Sequence, residues 1–172
     1  MYILRPDEKT TPVMLYTREA LVRGDVVTKQ NMRVNIWLRT DGVPNYMHIL
    51  KPQVIVFGGS PVKALTYSEL YFPTSRLIGF HTLPPTDEPL DFEPDEVNRM
   101  MQEVDVLVGT FVMKGKIRIS THTEVGQSLE MARIAWMSLY DVEIANPYLP
   151  QMPAMHISIV LVNPSHVAFG FA

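Results

Sequence analysis

Lys29, Arg33 and Arg39 recur at short intervals in the first half of the chain. Trp37 lies between the last two, and Arg18, Arg23 and Tyr46 are close by. Cations spaced along one face neutralise successive phosphates, and an indole or phenol ring among them offers a stacking surface. This stretch therefore has the chemistry of a single-stranded nucleic-acid contact. In "MRVNIWLRT" (32–40), strand alternation sends Met32, Val34, Ile36 and Leu38 one way. Arg33, Asn35, Trp37 and Arg39 go the other. The plainer reading of that alternation is the polar outer face of a half-buried strand, which needs no ligand.

The other reactive residue types form no catalytic pattern. His48, His81, His122, His156 and His166 are not spaced as HxH, HxxxH or HExxH, so no metal site is expected and the rings read as surface or hydrogen-bonded. Asp87, Glu88, Asp91, Glu93, Asp95 and Glu96 supply carboxylates for a divalent cation. However, they lack the glycine-centred loop of an EF-hand and are broken by prolines. A solvated acidic linker is the expectation, with contact to the basic first part as the alternative. There is no cysteine and no GxSxG. Ser60 in "GGSP" reads as a hairpin turn, and no GxxxxGK[ST] phosphate loop is present. No catalytic residue and no cofactor are expected. Six of the eleven methionines, Met100, Met101, Met131, Met137, Met152 and Met155, suit either core packing or an adaptable contact surface. The irregular "NPYLPQMPAM" (146–155) is a candidate for partner contacts.

Composition sets the frame for these residues. At 172 residues with 47% apolar and 19% charged, the chain holds enough core for one domain or two small ones. The absence of cysteine fits a reducing compartment. "MYILRPDEKTTPV" has charges and a proline where a secretion signal needs an apolar run, and "ISIVLV" (157–162) is too short to span a bilayer. A cytoplasmic protein with no membrane partner is expected. The net charge of −3 is unevenly spread. Residues 1–85 hold ten Lys/Arg against six Asp/Glu, and residues 86–172 hold five against twelve. Eight of those acids fall within 82–105.

The elements that must position these residues come twice. With Gly24 placed on Gly109, a shift of 85, "LVRGDVVTKQNMRVN" (21–35) lies on "VLVGTFVMKGKIRIS" (106–120) without a gap. A shift of 88 pairs "QVIVFGG" (53–59) with "DVEIANP" (141–147). One near 90 or 91 pairs "LYFPTSRLIGF" with "LVNPSHVAFGF". Each copy reads as short strands separated by turn signals. In the first copy these are "EALVRGDVVTK", bent at its glycine; "MRVNIWLRT"; "YMHILKPQVIVF", interrupted near Pro52; "KALTYSELYF"; and "RLIGFH" after a 3₁₀ turn at "PTS". No helix is read in "PDEKTTPVMLYTR" (6–18). Between the copies lies a proline-rich segment whose end predicts a short helix, with Pro94 in its first turn and Val97, Met100, Met101 and Val104 on one face. A helical turn or loop is expected near 126–131, followed by strand from about 132.

Five strands, a bent first strand, a 3₁₀ turn before the last strand and a helix ahead of a copy resemble the small-barrel group, Sm-like or SH3-like. The "G…R(V/I)(N/S)" openings resemble bacterial small-barrel families of unknown function. The resemblance implies an all-β, duplicated five-stranded small barrel. The repeats would span 1–81 and 105–172, joined by an acidic linker at 82–104 that ends in a short helix. Sm-like proteins bind RNA in oligomeric rings through an Asp/Asn loop, weakly matched here by Asp41 and Asn45, and an Arg-Gly loop. In place of the latter stand "PTSR" (73–76) and "NPSH" (163–166). The expected function is a non-enzymatic binding or scaffolding protein that self-associates or takes a protein partner. The alternative is single-stranded nucleic acid, RNA first, bound by Lys29, Arg33, Trp37 and Arg39.

Overall fold

The computed structural model describes residues 2–86 and 88–171. Strand makes up 49% and helix 9%, so the all-β class holds. The chain divides into two compact units, Met1–Asp87 and Glu88–Ala172. No described helix is long and apolar enough to cross a membrane.

The first unit opens with a hairpin of β1 (Glu8–Tyr16) and β2 (Ala20–Lys29), registered from Glu8 opposite Lys29 to Tyr16 opposite Leu21. Thr17 Oγ1 closes its turn by accepting from the Glu19 and Ala20 amides at 3.1 and 2.8 Å. Helix α1 (Val34–Leu38) leads to β3 (Tyr46–Val56), β4 (Lys63–Thr66) and β5 (Glu69–Pro73). A 3₁₀ turn at Thr74–Arg76 then leads to β6 (Gly79–Thr82). β3 pairs with β2 on one side. On the other it takes β5 along its first half and β4 along its second. β6 returns to pair with β1.

The second unit runs β7 (Arg99–Val108), β8 (Phe111–Ser120), α2 (Val125–Met131), β9 (Met137–Ala145), β10 (Met155–Val162) and β11 (Ala168–Gly170). β7 to β10 form a meander, and β11 returns to pair with β7. Among the described residues no ladder joins β5 to β6 or β10 to β11, so within each unit the expected closed barrel is an open antiparallel sheet.

Opposite the glycine of "EALVRGDVVTK" the ladder carries a bulge whose extra residue lies in β3, where Lys51 and Pro52 together face Gly24 alone. The β2–β3 register shifts between Arg23 and Asp25, at Gly24, and opposite it Lys51 takes φ 48°. A Cβ on Gly24 would meet Ile49 Cγ2 at 2.5 Å, so the two backbones approach as only glycine allows. In the second unit the β8–β9 register shifts between Lys114 and Lys116, at Gly115, opposite Asp141 at φ 51°. The counterpart of Gly24 is therefore Gly115, 91 positions on. Gly109, paired with Gly24 in the sequence alignment, lies in the β7–β8 turn with φ 60°.

Two further expectations are corrected. "MRVNIWLRT" is not a strand: of its four alternating apolar residues the fold buries Val34 and Leu38, four apart, and leaves Ile36 50% exposed. One helical turn achieves that burial where an extended strand does not. "EKTTPVMLY", in which no helix is read, forms β1, with Val13, Leu15 and Tyr16 fully buried. The linker helix is absent. Met100, Met101 and Val104 lie in β7, which pairs with β8 from Arg99 opposite Ser120 to Val108 opposite Phe111. Val104, Val106 and Val108 point inward with a period of two, and that pairing overrides the helical spacing. The second unit's first strand thus begins inside the expected 82–104 linker.

The acidic segment is also more than a solvated spacer. Asp91 accepts from Ser138 and Tyr140, and Glu96 pairs with Arg118, so it is tied to the second unit's own sheet.

Candidate functional site

In β3 the side chains of Met47 and Ile49 are fully buried, which turns Tyr46, His48 and Leu50 to the other face. In β5, Phe72 goes inward and Glu69, Tyr71 and Pro73 outward. Register sets His48 opposite Tyr71, Tyr46 opposite Pro73 and Leu50 opposite Glu69. The outer face is therefore aromatic, and its tyrosines face solvent: Tyr46 is 57% exposed and Tyr71 59%. Tyr67, two residues before β5, is 48% exposed.

His48 is the pivot of this face. Its ring stacks on Tyr71 at 4.6 Å and 3° between planes, and its Nε2 lies 3.0 Å from Glu69 Oε2. From the segment ahead of β1, Tyr2 meets His48 edge-on at 4.5 Å and 88°. The Tyr2 hydroxyl donates to Glu8 Oε2 at 2.8 Å, and the same oxygen accepts from the Arg5 amide at 3.0 Å. Those two bonds, the amide first, hold the Glu8 carboxyl below its ordinary pKa. The Tyr2 hydroxyl is pushed above its own, chiefly by the bond to Glu8. The tyrosine rings thus present an apolar body and a hydroxyl tip to solvent.

The residues singled out from the sequence are only partly brought together. Lys29 ends β2, with Nζ 2.6 Å from Asp7 Oδ2 and 3.9 Å from Glu8 Oε1, so its charge is engaged at the edge of the Tyr2 segment. That contact is the first cause of the lowered Asp7 pKa. Arg33 caps the start of α1 and is exposed, while Trp37 is half-buried within the turn. The Arg33 carbonyl accepts from the Trp37 amide at 2.9 Å, which sets the two residues one turn apart. Arg39 is the C-terminal cap, its amide bonded to the Ile36 carbonyl at 3.0 Å. It lies at the opposite end of α1 from Arg33. The face of Tyr46, His48, Glu69 and Tyr71 was not anticipated. Its only signal is the period-two spacing of "TYSELY" (66–71) and "YMH" (46–48), which reads as ordinary strand.

Among the described residues no group of three or more His, Asp or Glu side chains is placed to hold a metal ion. Comparison with known proteins gave no match to any family model, curated protein or solved structure.

Proposed function

We propose that this chain is a non-enzymatic, cytoplasmic binding or scaffolding protein built from two copies of one small Sm-like or SH3-like β module. The outer face of β3 and β5 in the first unit is its contact surface. The observation that carries this reading is the pair Tyr46 and Tyr71, more than half exposed over a His48 ring already locked by Glu69 and Tyr2. Exposed tyrosines on a rigid sheet contribute contact area at little entropic cost. Duplication is supported by the matching order of elements and by the Gly24–Lys51 and Gly115–Asp141 bulges. Among the described residues β4 pairs only with β3 along the sheet, and all four of its residues are exposed, which supports association through sheet edges. Sedimentation velocity over a concentration series tests the reading. Self-association that is lost in Tyr46→Ser/Tyr71→Ser supports it. A natural chain that stays monomeric at every concentration removes self-association as the activity.

The second reading is single-stranded nucleic acid bound by the first unit. It is favoured by Arg33 and Trp37 standing one hydrogen-bonded turn apart at the start of α1 and by the basic balance of residues 1–85. Anisotropy of labelled single-stranded RNA and DNA across a salt series tests it. Affinity that falls steeply with salt supports phosphate contacts, and no binding at low salt removes the reading.

A further inference from the structure

The segment ahead of β7 makes contacts that a spacer does not need. The Asp91 carboxylate accepts from Ser138 Oγ and Tyr140 Oη, both at 2.6 Å. The Phe92 ring lies edge-on to Tyr140 at 5.0 Å, and the Arg118 guanidinium sits 4.6 Å from the ring centroid. Arg118 also donates to the Glu93 carbonyl at 3.0 Å and pairs with Glu96 at 2.8 Å. Arg99 adds a second cation 3.4 Å from Glu96. On the sheet side, Arg118 belongs to β8, and Ser138 and Tyr140 to β9. Together they recognise a carboxylate, a phenyl ring, a backbone carbonyl and a second carboxylate within "DFEPDE" (91–96). Charge-assisted hydrogen bonds and a cation–π contact make that recognition chemical rather than a matter of shape alone.

The two sides differ in how firmly they are built. In 91–96 only Phe92 is half-buried, and the other five residues are exposed. Exposed ion pairs hold weakly, and segments with few buried apolar contacts open first. Beneath them Tyr140 is buried and the Arg118 side chain is 16% exposed, both fixed on paired strands.

We propose that the face of β8 and β9 centred on Arg118 and Tyr140 docks an acidic, phenylalanine-containing segment of a partner protein. Residues 91–96 are its built-in occupant, a strap that such a segment displaces. The partner's chemistry is argued from the occupant already seated there. A strap tethered to its own sheet acts at an effective concentration in the millimolar range, so a partner gains the face by outcompeting it or after its release. This inference stands on the second unit and does not depend on the tyrosine face of the first.

The test uses a fluorescein-labelled peptide, EPLDFEPDEV, the sequence of residues 88–97, titrated with the full chain by anisotropy. The expected result is little binding to the natural chain and at least tenfold tighter binding to Phe92→Ala, lost again when Arg118→Ala is added. Asp91→Asn keeps the ring and replaces the charged carboxylate by an amide with one accepting oxygen for the two donors, Ser138 and Tyr140. It serves if Phe92→Ala does not fold, and it is expected to tighten peptide binding severalfold. Variants that bind the peptide no better than the natural chain overturn the proposal. A Phe92→Ala chain that instead forms a dimer abolished by Arg118→Ala assigns the face to a second copy and overturns the partner.

Discussion

The Tyr16 hydroxyl donates to His81 Nε2 at 3.0 Å, between two buried side chains on the paired strands β1 and β6. His81 Nδ1 lies 2.9 Å from the Thr82 carbonyl, which can only accept, so Nδ1 carries the proton and Nε2 receives the tyrosine's. Burial pushes the His81 pKa down to about 4 from 6.5, against a smaller upward pull from the Thr82 bond, and burial raises the Tyr16 hydroxyl. The fold thus holds a neutral ring, whereas the unfolded chain takes up a proton below about pH 6.5. The stabilisation is complete above pH 6.5 and declines as pH falls towards 4. It levels off below that, after a loss of roughly 3 kcal/mol. Urea unfolding at pH 7.5 and 4.5 is expected to show the decline. Tyr16→Phe, which leaves Nε2 without a donor, is expected to cost about 1–3 kcal/mol at neutral pH. A His81 NMR titration with a midpoint near 6.5 would sink the account.

Gly24 and Gly115 make a second prediction. At Gly24 a methyl would meet Ile49 Cγ2 at 2.5 Å, the Leu50 carbonyl oxygen at 3.1 Å and Pro52 Cα at 3.2 Å. Two of those atoms are backbone and cannot step aside. Gly24→Ala is expected to destabilise by about 1–3 kcal/mol through overpacking. At Gly115 the nearest atoms are the Tyr140 carbonyl oxygen at 3.0 Å and Val142 Cγ2 at 3.2 Å, so the cost there is smaller. Gly58, with nothing within 4 Å, is the control: its alanine is expected to stay within about 0.5 kcal/mol of the natural chain. Chemical denaturation of the three variants orders them, and equal stabilities would remove the bulge argument.

Helix α1 separates two readings of the same five residues. As a strand, Val34, Ile36 and Leu38 would all be buried. As a helical turn, Val34 and Leu38 are buried and Ile36 is half exposed. Leu38→Ala is therefore expected to cost about 2–5 kcal/mol. Ile36→Ala is expected to cost under about 0.5 kcal/mol. Comparable losses at both positions would restore the strand.

What the sequence discloses and what it hides follow from these particulars. The β3 bulge at Lys51–Pro52 facing Gly24, the 3₁₀ turn before the last strand and the helical turn near 126–131 were legible because glycine, proline and hydroxyl residues act locally. β1 was hidden by Pro12, whose carbonyl accepts from the Leu83 amide; its nitrogen therefore faces the same side, away from β2, and no β1–β2 hydrogen bond is lost. α1 and the start of β7 were misread because period two and period 3.6 agree over such short spans. Only the partner strand decides, and it lies elsewhere in the chain. The His48–Tyr71 stack and the Asp91 and Phe92 contacts depend on register and on a folded-back segment, neither of which is written in neighbouring residues.

The nucleic-acid reading yields an ordering that the strand pattern would not. On a strand, Arg33, Trp37 and Arg39 would line one face and weaken binding together. In the fold, Arg33 and Trp37 are joined by a backbone hydrogen bond at the start of α1, Arg39 caps its other end, and Lys29 is held by Asp7. If the first unit binds single-stranded RNA, Trp37→Ala is expected to lose about 1–3 kcal/mol of stacking. Arg33→Ala is expected to lower the slope of log K against log salt by about one phosphate's worth. Arg39→Ala and Lys29→Ala are expected to change little at the same salt. Fluorescence anisotropy with one oligonucleotide across all four variants makes the comparison. Four equal losses would return the site to an extended strip. Loss only with Tyr46→Ala or Tyr71→Ala would move it to the outer face of β3 and β5.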